Sequence, residues 1–171
     1  MNIRTIKKIT FFLTLTLLFS CTKTEENDIK PNIENRLSTN SITLIGKKIL
    51  FDASQGETAG NADWAIDEDN GNPQRIPTPL QSNVTSSTSE TYWTGAISSW
   101  GIALAKKGIT VETLPTTGYI TYGVTTNAQD LKNYDVFVVD EPNIRFTTSE
   151  KQAIIKFVQN GGGLFIVADH T

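Results

Sequence analysis

Residues 134–168 read YDVFVVDEPNIRFTTSEKQAIIKFVQNGGGLFIVA, and this stretch decides the fold. Asp135 to Asp140 is apolar throughout its middle, which suits a strand buried on both faces. Thr147-Thr148-Ser149-Glu150 is a capping box, with Thr147 as N-cap and Glu150 at the third helical position. The helix it opens carries Ala153, Ile154, Phe157 and Val158 on one face and is expected to stop at Asn160-Gly161. Leu164 to Ala168 is a second apolar strand. Strand, helix, strand predicts parallel pairing through a right-handed crossover. Gly161-Gly162-Gly163 lies between a helix end and a strand start. Phosphate-cradling glycines join a strand to a helix instead, so helix termination accounts for these three.

The same alternation extends upstream. Lys47 to Ala53 is a short apolar run after two charges, expected to be the first strand. Residues 55–86 are rich in Gly, Asn, Asp, Pro, Ser and Thr and are expected to form a long loop, functional or mobile. From about Ser89 to Lys107 the positions Trp93, Ala96, Ile97, Trp100, Ala103 and Leu104 predict one helix capped by Gly108. Ile109 to Leu114 is the second strand, and a short helix is expected near Ala128–Asn133. The fold class is therefore α/β. The simplest arrangement is a flavodoxin-like, three-layer parallel sheet of order 2-1-3-4, counting these four strands along the chain. Only Asp169, His170 and Thr171 follow the fourth strand, so the sheet is expected to be incomplete at the C-terminus, poorly stable and short of at least one helix and strand.

The chain has 171 residues, enough for one domain, and a formal net charge of −3. Its basic residues are unevenly placed: Arg4, Lys7 and Lys8 stand in the first twenty positions with no acid among them. The acidic remainder argues against nucleic acid as a partner. One Cys and one His exclude an internal disulfide and four-ligand Cys/His zinc sites. Ile9 to Phe19 is too short to span a bilayer and has the length of a signal-peptide apolar region. It ends in Leu18-Phe19-Ser20-Cys21, which resembles a bacterial lipobox. That resemblance implies cleavage before Cys21, acylation there with palmitate-type chains, and a lipid anchor in the outer membrane, on its periplasmic or its outer surface. Residues 1–20 are then the signal peptide and 21–45 a flexible polar tether, leaving 46–171 for the folded domain. The acidic pair Glu25-Glu26 resembles surface-export signals of Bacteroidetes-type lipoproteins.

Ligands of such sheets bind beyond the carboxyl ends of the strands, at the switch point. The candidate catalytic residues there are Asp52, Asp140, Glu141, Asp169 and His170. Asp52, Asp140 and Asp169 each end a strand at one edge and are expected to lie close together. A divalent metal held by Asp52, Asp169 and His170 would relieve their repulsion. Alternatively, His170 acts as a general base oriented by Asp169 or Asp140. Trp64 in the long loop, beside Asp63, is the candidate platform for a carbohydrate ligand, whereas Trp93 and Trp100 are expected in the core. Asp67-Glu68-Asp69-Asn70-Gly71 lacks the spacing of a calcium loop and reads as an acidic turn.

The strand at 134–140, the capped helix and the Gly161-Gly162-Gly163 strand together resemble the class I glutamine amidotransferase-like fold, closest to its trehalose-utilisation (ThuA-like) branch. The resemblance covers roughly residues 134–170 and extends loosely to 47–54. The segment Gly60-Asn61-Ala62-Asp63-Trp64 and the pair Asp169-His170 are similar to features of bacterial lipoproteins carrying this domain. The resemblance implies a nucleophilic Cys near Ala168. This chain's sole Cys is Cys21, so Cys–His glutaminase chemistry is excluded. Two functions remain: a hydrolase acting on a carbohydrate or similar polymer at the cell envelope, and a non-catalytic binding or scaffold lipoprotein.

Overall fold

A computed structural model describes residues 44–58, 63–69 and 71–168. Cys21, Asp169 and His170, and with them the signal peptide and most of the tether, lie outside the described residues. Four parallel strands form the main sheet: β1 (Lys48–Asp52), β4 (Thr110–Leu114), β5 (Val136–Asp140) and β6 (Gly163–Val167). They stand in the order β4-β1-β5-β6. The α/β class with a parallel sheet is as the alternating pattern predicts. A small antiparallel pair, β2 (Glu68–Asp69) and β3 (Asn72–Pro73), forms within the long loop around Gly71, where φ is +78°. Asp67, Glu68 and Asp69 thus lead into a turn at Gly71, in line with the acidic turn expected.

Two helices cover the sheet, one on each face. Helix α1 (Ser98–Ala105) joins Ile102 to Ile49, Phe51, Val111, Val138, Ile66 and Trp93 in one buried cluster. Helix α2 (Thr148–Gln159) presents Ala153, Ile154 and Phe157 to Leu50, Leu114, Phe137 and Val139 on the other face. The capping box forms as read: Thr147 Oγ1 accepts from Glu150 N and Glu150 Oε2 accepts from Thr147 N at 2.7 Å. The helix ends at Gly161, where φ is +91°. A Cβ on Gly162 would fall 2.3 Å from the Phe157 ring, so the stop needs glycine for space as well as for φ.

The helix expected from Ser89 to Lys107 is shorter, spanning only Ser98–Ala105. The reason is local. Ser98 Oγ donates to the Glu90 carbonyl at 2.7 Å, and Trp93 N donates to Ser98 Oγ, so the side chain folds the preceding residues back into turns. Trp93 is fully buried, but from that turn region and not from a helix. Trp100 sits on α1 and meets Phe51 and Phe165 edge-on, at 5.1 and 5.4 Å between ring centroids. The short helix expected at 128–133 is a single 3-10 turn, Leu131–Asn133, capped by the Asp130 carboxylate. Strand β6 lies at the sheet edge with every residue exposed, Phe165 by 47% and Ile166 by 49%. Among the described residues no helix is long and apolar enough to cross a membrane.

Candidate functional site

Register and side-chain alternation sort the candidate residues. Leu50 pairs with Phe137 and Phe51 with Val138, so Asp52 is level with Val139. Asp52 therefore emerges on the α2 face, with Leu50 and Val139, whereas Asp140 emerges on the α1 face, with Val138. The two carboxylates end neighbouring strands, yet alternation sends them to opposite sides. The shared crevice expected from their strand ends does not form between this pair. The third member, Asp169, and His170 lie outside the described residues.

What Asp52 meets is Glu57, five residues on. The turn Ser54–Glu57 curls over the end of β1. Asp52 Oδ1 accepts from Ser54 N at 2.9 Å and from Ser54 Oγ at 2.7 Å. Glu57 Oε2 accepts from Gln55 N at 2.8 Å. The two carboxyl groups are within hydrogen-bond reach of each other. Gln55 Nε2 donates to Glu150 Oε1 at 3.3 Å, linking the turn to the first turn of α2. Asp52 is 2% exposed and Glu57 not at all. Burial pushes the Asp52 carboxyl up to about 6, against its Ser54 hydrogen bonds and with help from the nearby Glu150 charge. Burial, then the Asp52 charge, pushes Glu57 up to about 8. Two carboxyls so close hold one proton between them near neutral pH.

Other buried acids of this chain are treated differently. Glu112 on β4 receives Lys48 Nζ at 3.2 Å, Arg75 Nε at 2.9 Å and the Tyr134 hydroxyl at 2.8 Å. These partners outweigh burial and hold it below the usual range. Asp130 accepts from Thr121 Oγ1 and three backbone amides and is also held low, although burial opposes them. Asp67 accepts from the amides of Thr78 and Thr94. These three are structural acids, each supplied with donors. Among the described residues the ion pairs involve Asp135 and Glu112, and none reaches Asp52, Glu57 or Glu150. Asp52 Oδ2, Gln55 Oε1 and Glu57 Oε1 are buried without a hydrogen-bond donor. Asp63 Oδ1 and Glu68 Oε2 also lack a donor, but those two residues are half-buried, so among the described residues Asp52–Glu57 is the buried acid pair that the fold leaves uncompensated.

A second loop closes over it. Beyond β5, Asn143 N and Ile144 N donate to the Gln55 carbonyl at 2.8 and 2.7 Å, and Asn143 Nδ2 donates to the Gly56 carbonyl at 2.9 Å. Gly56 has φ of +79°, and a Cβ there would meet Ile144 at 3.2 Å, so the two turns approach closely only with glycine. Glu141 begins this loop at φ of +51°, unusual for a residue with a side chain. Its Oε2 accepts from Trp64 Nε1 at 2.7 Å. Trp64 is thus a half-buried tie between the long loop and the end of β5, not the open platform expected. Asp63 accepts from Ala96 N at 3.2 Å. Its hydrogen bond with Glu68, then burial, pushes Glu68 up to about 7. Asp140 is raised by burial and then by the Glu141 charge.

The sequence reading missed Gln55 and Glu57 and took Glu150 only as a cap. The glycine between Gln55 and Glu57 was the available signal, since it lets the chain double back over a strand end. Among the described residues no group of three or more His, Cys, Asp or Glu is placed to hold a metal ion, and the metal set of Asp52, Asp169 and His170 falls partly outside them. Comparison with known proteins finds no matching family, no curated relative and no solved structure.

Proposed function

We propose that this chain is a cell-envelope lipoprotein, acylated at Cys21. Its amidotransferase-like domain, of the ThuA-like branch and flavodoxin-like order, is in this reading a hydrolase acting on a carbohydrate or similar polymer. The observation that carries the catalytic part is the uncompensated Asp52–Glu57 pair beyond β1, where the strand order turns from β4 to β5. Glu112, Asp130 and Asp67 are each supplied with donors, whereas Asp52 Oδ2 and Glu57 Oε1 have none.

The spacing of the pair narrows the chemistry. Glycosidase carboxyls flank the scissile bond about 5–9.5 Å apart, whereas these lie within hydrogen-bond reach of each other. They act as one unit holding one proton. The ionised member takes a proton from an attacking water, whose oxygen bonds to the electrophilic carbon. The protonated member delivers its proton to the leaving oxygen as that bond breaks. A carbonyl ester substituent on a sugar polymer fits such a dyad better than a glycosidic bond. Ser54, donating to Asp52, helps set which carboxyl is ionised.

Two experiments test the proposal. Release of acyl groups or reducing ends should be measured on acetylated xylan, acetylated chitin and a set of p-nitrophenyl glycosides and esters. Asp52→Asn is expected to lower turnover about a hundredfold or more without loss of cooperative unfolding. Absence of turnover by the parent, or equal turnover by the variant, removes the catalytic part. For the anchor, Cys21→Ser should abolish both incorporation of a fatty-acid probe and fractionation with membranes. Unchanged labelling refutes it.

A second reading, a non-catalytic binding or scaffold lipoprotein, is favoured by the complete burial of Glu57. A catalytic pair must meet its substrate, so this reading requires that the turn 54–57 never opens.

A further inference from the structure

After β4 the chain crosses toward α2, and residues 119–124 face that helix across a cavity of about 570 Å3. This is within the roughly 300–1,000 Å3 of small-ligand sites. One wall carries Tyr119, Thr121, Tyr122 and Val124. The other carries Glu150, Gln152, Ala153 and Lys156 from α2. Tyr119 is 74% exposed, whereas Trp93, Phe51 and Phe137 are fully buried. Tyr122 leans on Phe157, with 6.5 Å between ring centroids. Among the described residues, the hydroxyls of Tyr119 and Tyr122, the Gln152 amide and the Lys156 ammonium have no side-chain hydrogen-bond partner.

The wall bearing the tyrosines is held in place. The buried Asp130 carboxylate binds Thr121 Oγ1 at 2.7 Å, Gly123 N at 2.9 Å and Val124 N at 2.8 Å. Asn127 Nδ2 donates to the Tyr119 carbonyl at 3.1 Å. Leu131 N donates to the Thr121 carbonyl at 3.0 Å. A connecting loop fixed by this many bonds presents its aromatic rings at little further entropic cost on binding.

The geometry points to a glycan-binding cleft, in which a pyranose ring stacks its flat C–H face on Tyr119 while its hydroxyls bond to Gln152, Glu150, Lys156 and the Tyr122 hydroxyl. The chemistry favours a sugar over other occupants. A phosphate would need free amides at the α2 N-terminus. Those of Thr147 and Glu150 are engaged by the capping box, and the Glu150 carboxylate repels an anion. A wholly apolar ligand would leave the unpartnered donors and acceptors on both walls unused. A sugar offers both an apolar face and a ring of hydroxyls. Glu150 also accepts from Gln55 Nε2, so the cleft adjoins the Asp52–Glu57 pair through two side chains. The inference rests on the carbohydrate part of the proposed function but not on catalysis.

Saturation-transfer NMR of the full chain with maltotriose, cellotriose, xylotriose and chitotriose at millimolar concentration tests it. Transfer to the ring C–H protons of at least one probe is expected. Its affinity should weaken tenfold or more in Tyr119→Ala and several-fold in Gln152→Ala. Both side chains are exposed, so neither change should disturb folding. Trp64→Phe should bind as the parent does. Absence of transfer from all four probes, or equal affinity in Tyr119→Ala, overturns the inference. So does a loss confined to Trp64→Phe. Binding retained by an Asp52→Asn protein that shows no turnover supports the cleft and is separate from the fate of the hydrolase reading.

Discussion

Gly95→Ala is expected to destabilise the fold by about 3 kcal/mol or more, beyond the usual range for adding a methyl group to a packed site. A Cβ at position 95 would lie 2.0 Å from the Ala65 carbonyl oxygen, 2.5 Å from its carbon and 2.7 Å from the Ile66 carbonyl carbon. All three are backbone atoms, so no side-chain rotation relieves the clash. The same Ala65 carbonyl accepts from Ile97 N at 3.1 Å, one residue before α1 begins. Moving the two backbones apart would break that bond and loosen Ile66 and Trp93, both fully buried against α1. For a domain of this size the midpoint of thermal unfolding should fall by roughly 10 °C or more. Ser99→Ala, an exposed change on the same helix, should leave the midpoint within about 2 °C. A Gly95→Ala protein that unfolds at the parent's temperature would show that residues 65 and 95 do not touch.

Stability is expected to fall as pH rises from about 5 to 8. The sign follows from the direction of the shifts. Asp52 and Glu57 hold protons in the folded chain up to about 6 and 8, above their values in an unfolded chain. Their stabilising protonated form is fully present below the unfolded values and is lost as pH rises through the folded ones. Glu57 alone accounts for at most about 1.4 kcal/mol per pH unit across this window, on the order of 3 kcal/mol in total. The acids held low, Glu112, Asp130 and Asp135, act in the opposite sense and only at lower pH. Denaturant unfolding at pH 5, 6, 7 and 8 reads the slope. Glu57→Gln should flatten the slope above pH 7, where Glu68, raised to about 7, contributes least, and be more stable than the parent at pH 8, because an amide N–H can replace the shared proton without acquiring charge. A parent whose stability is level or rising from pH 5 to 8 would mean that the two carboxyls do not share a proton.

Much of the scaffold was legible because its signals are local. The capping box needs only Thr147 and Glu150, three residues apart, and the stop needs only the adjacent Gly161 and Gly162, one for positive φ and one for space against Phe157. The apolar middles of β1, β5 and β6 are contiguous and alternate with helical patterns, so a parallel sheet followed from pattern alone. The helix expected from Ser89 failed because apolar spacing cannot register that Ser98 Oγ bonds the Glu90 carbonyl and that Gly95 must pack against Ala65. Both contacts join residues whose proximity is a product of folding.

The candidate site divides along the same line. Composition and order alone placed Asp52, Asp140 and Glu141 at strand ends. Only the tertiary structure decided which acids meet. The pairing of Leu50 with Phe137 puts Asp52 level with Val139, and the two-residue alternation then turns Asp52 toward α2 and Asp140 toward α1. Glu57 reaches Asp52 because Gly56 allows the turn, and Tyr119 faces Glu150 because Asp130 ties its loop. A strand's sequence determines that its side chains alternate. The register against its neighbour, a property of two segments and not of one, determines what each of them faces.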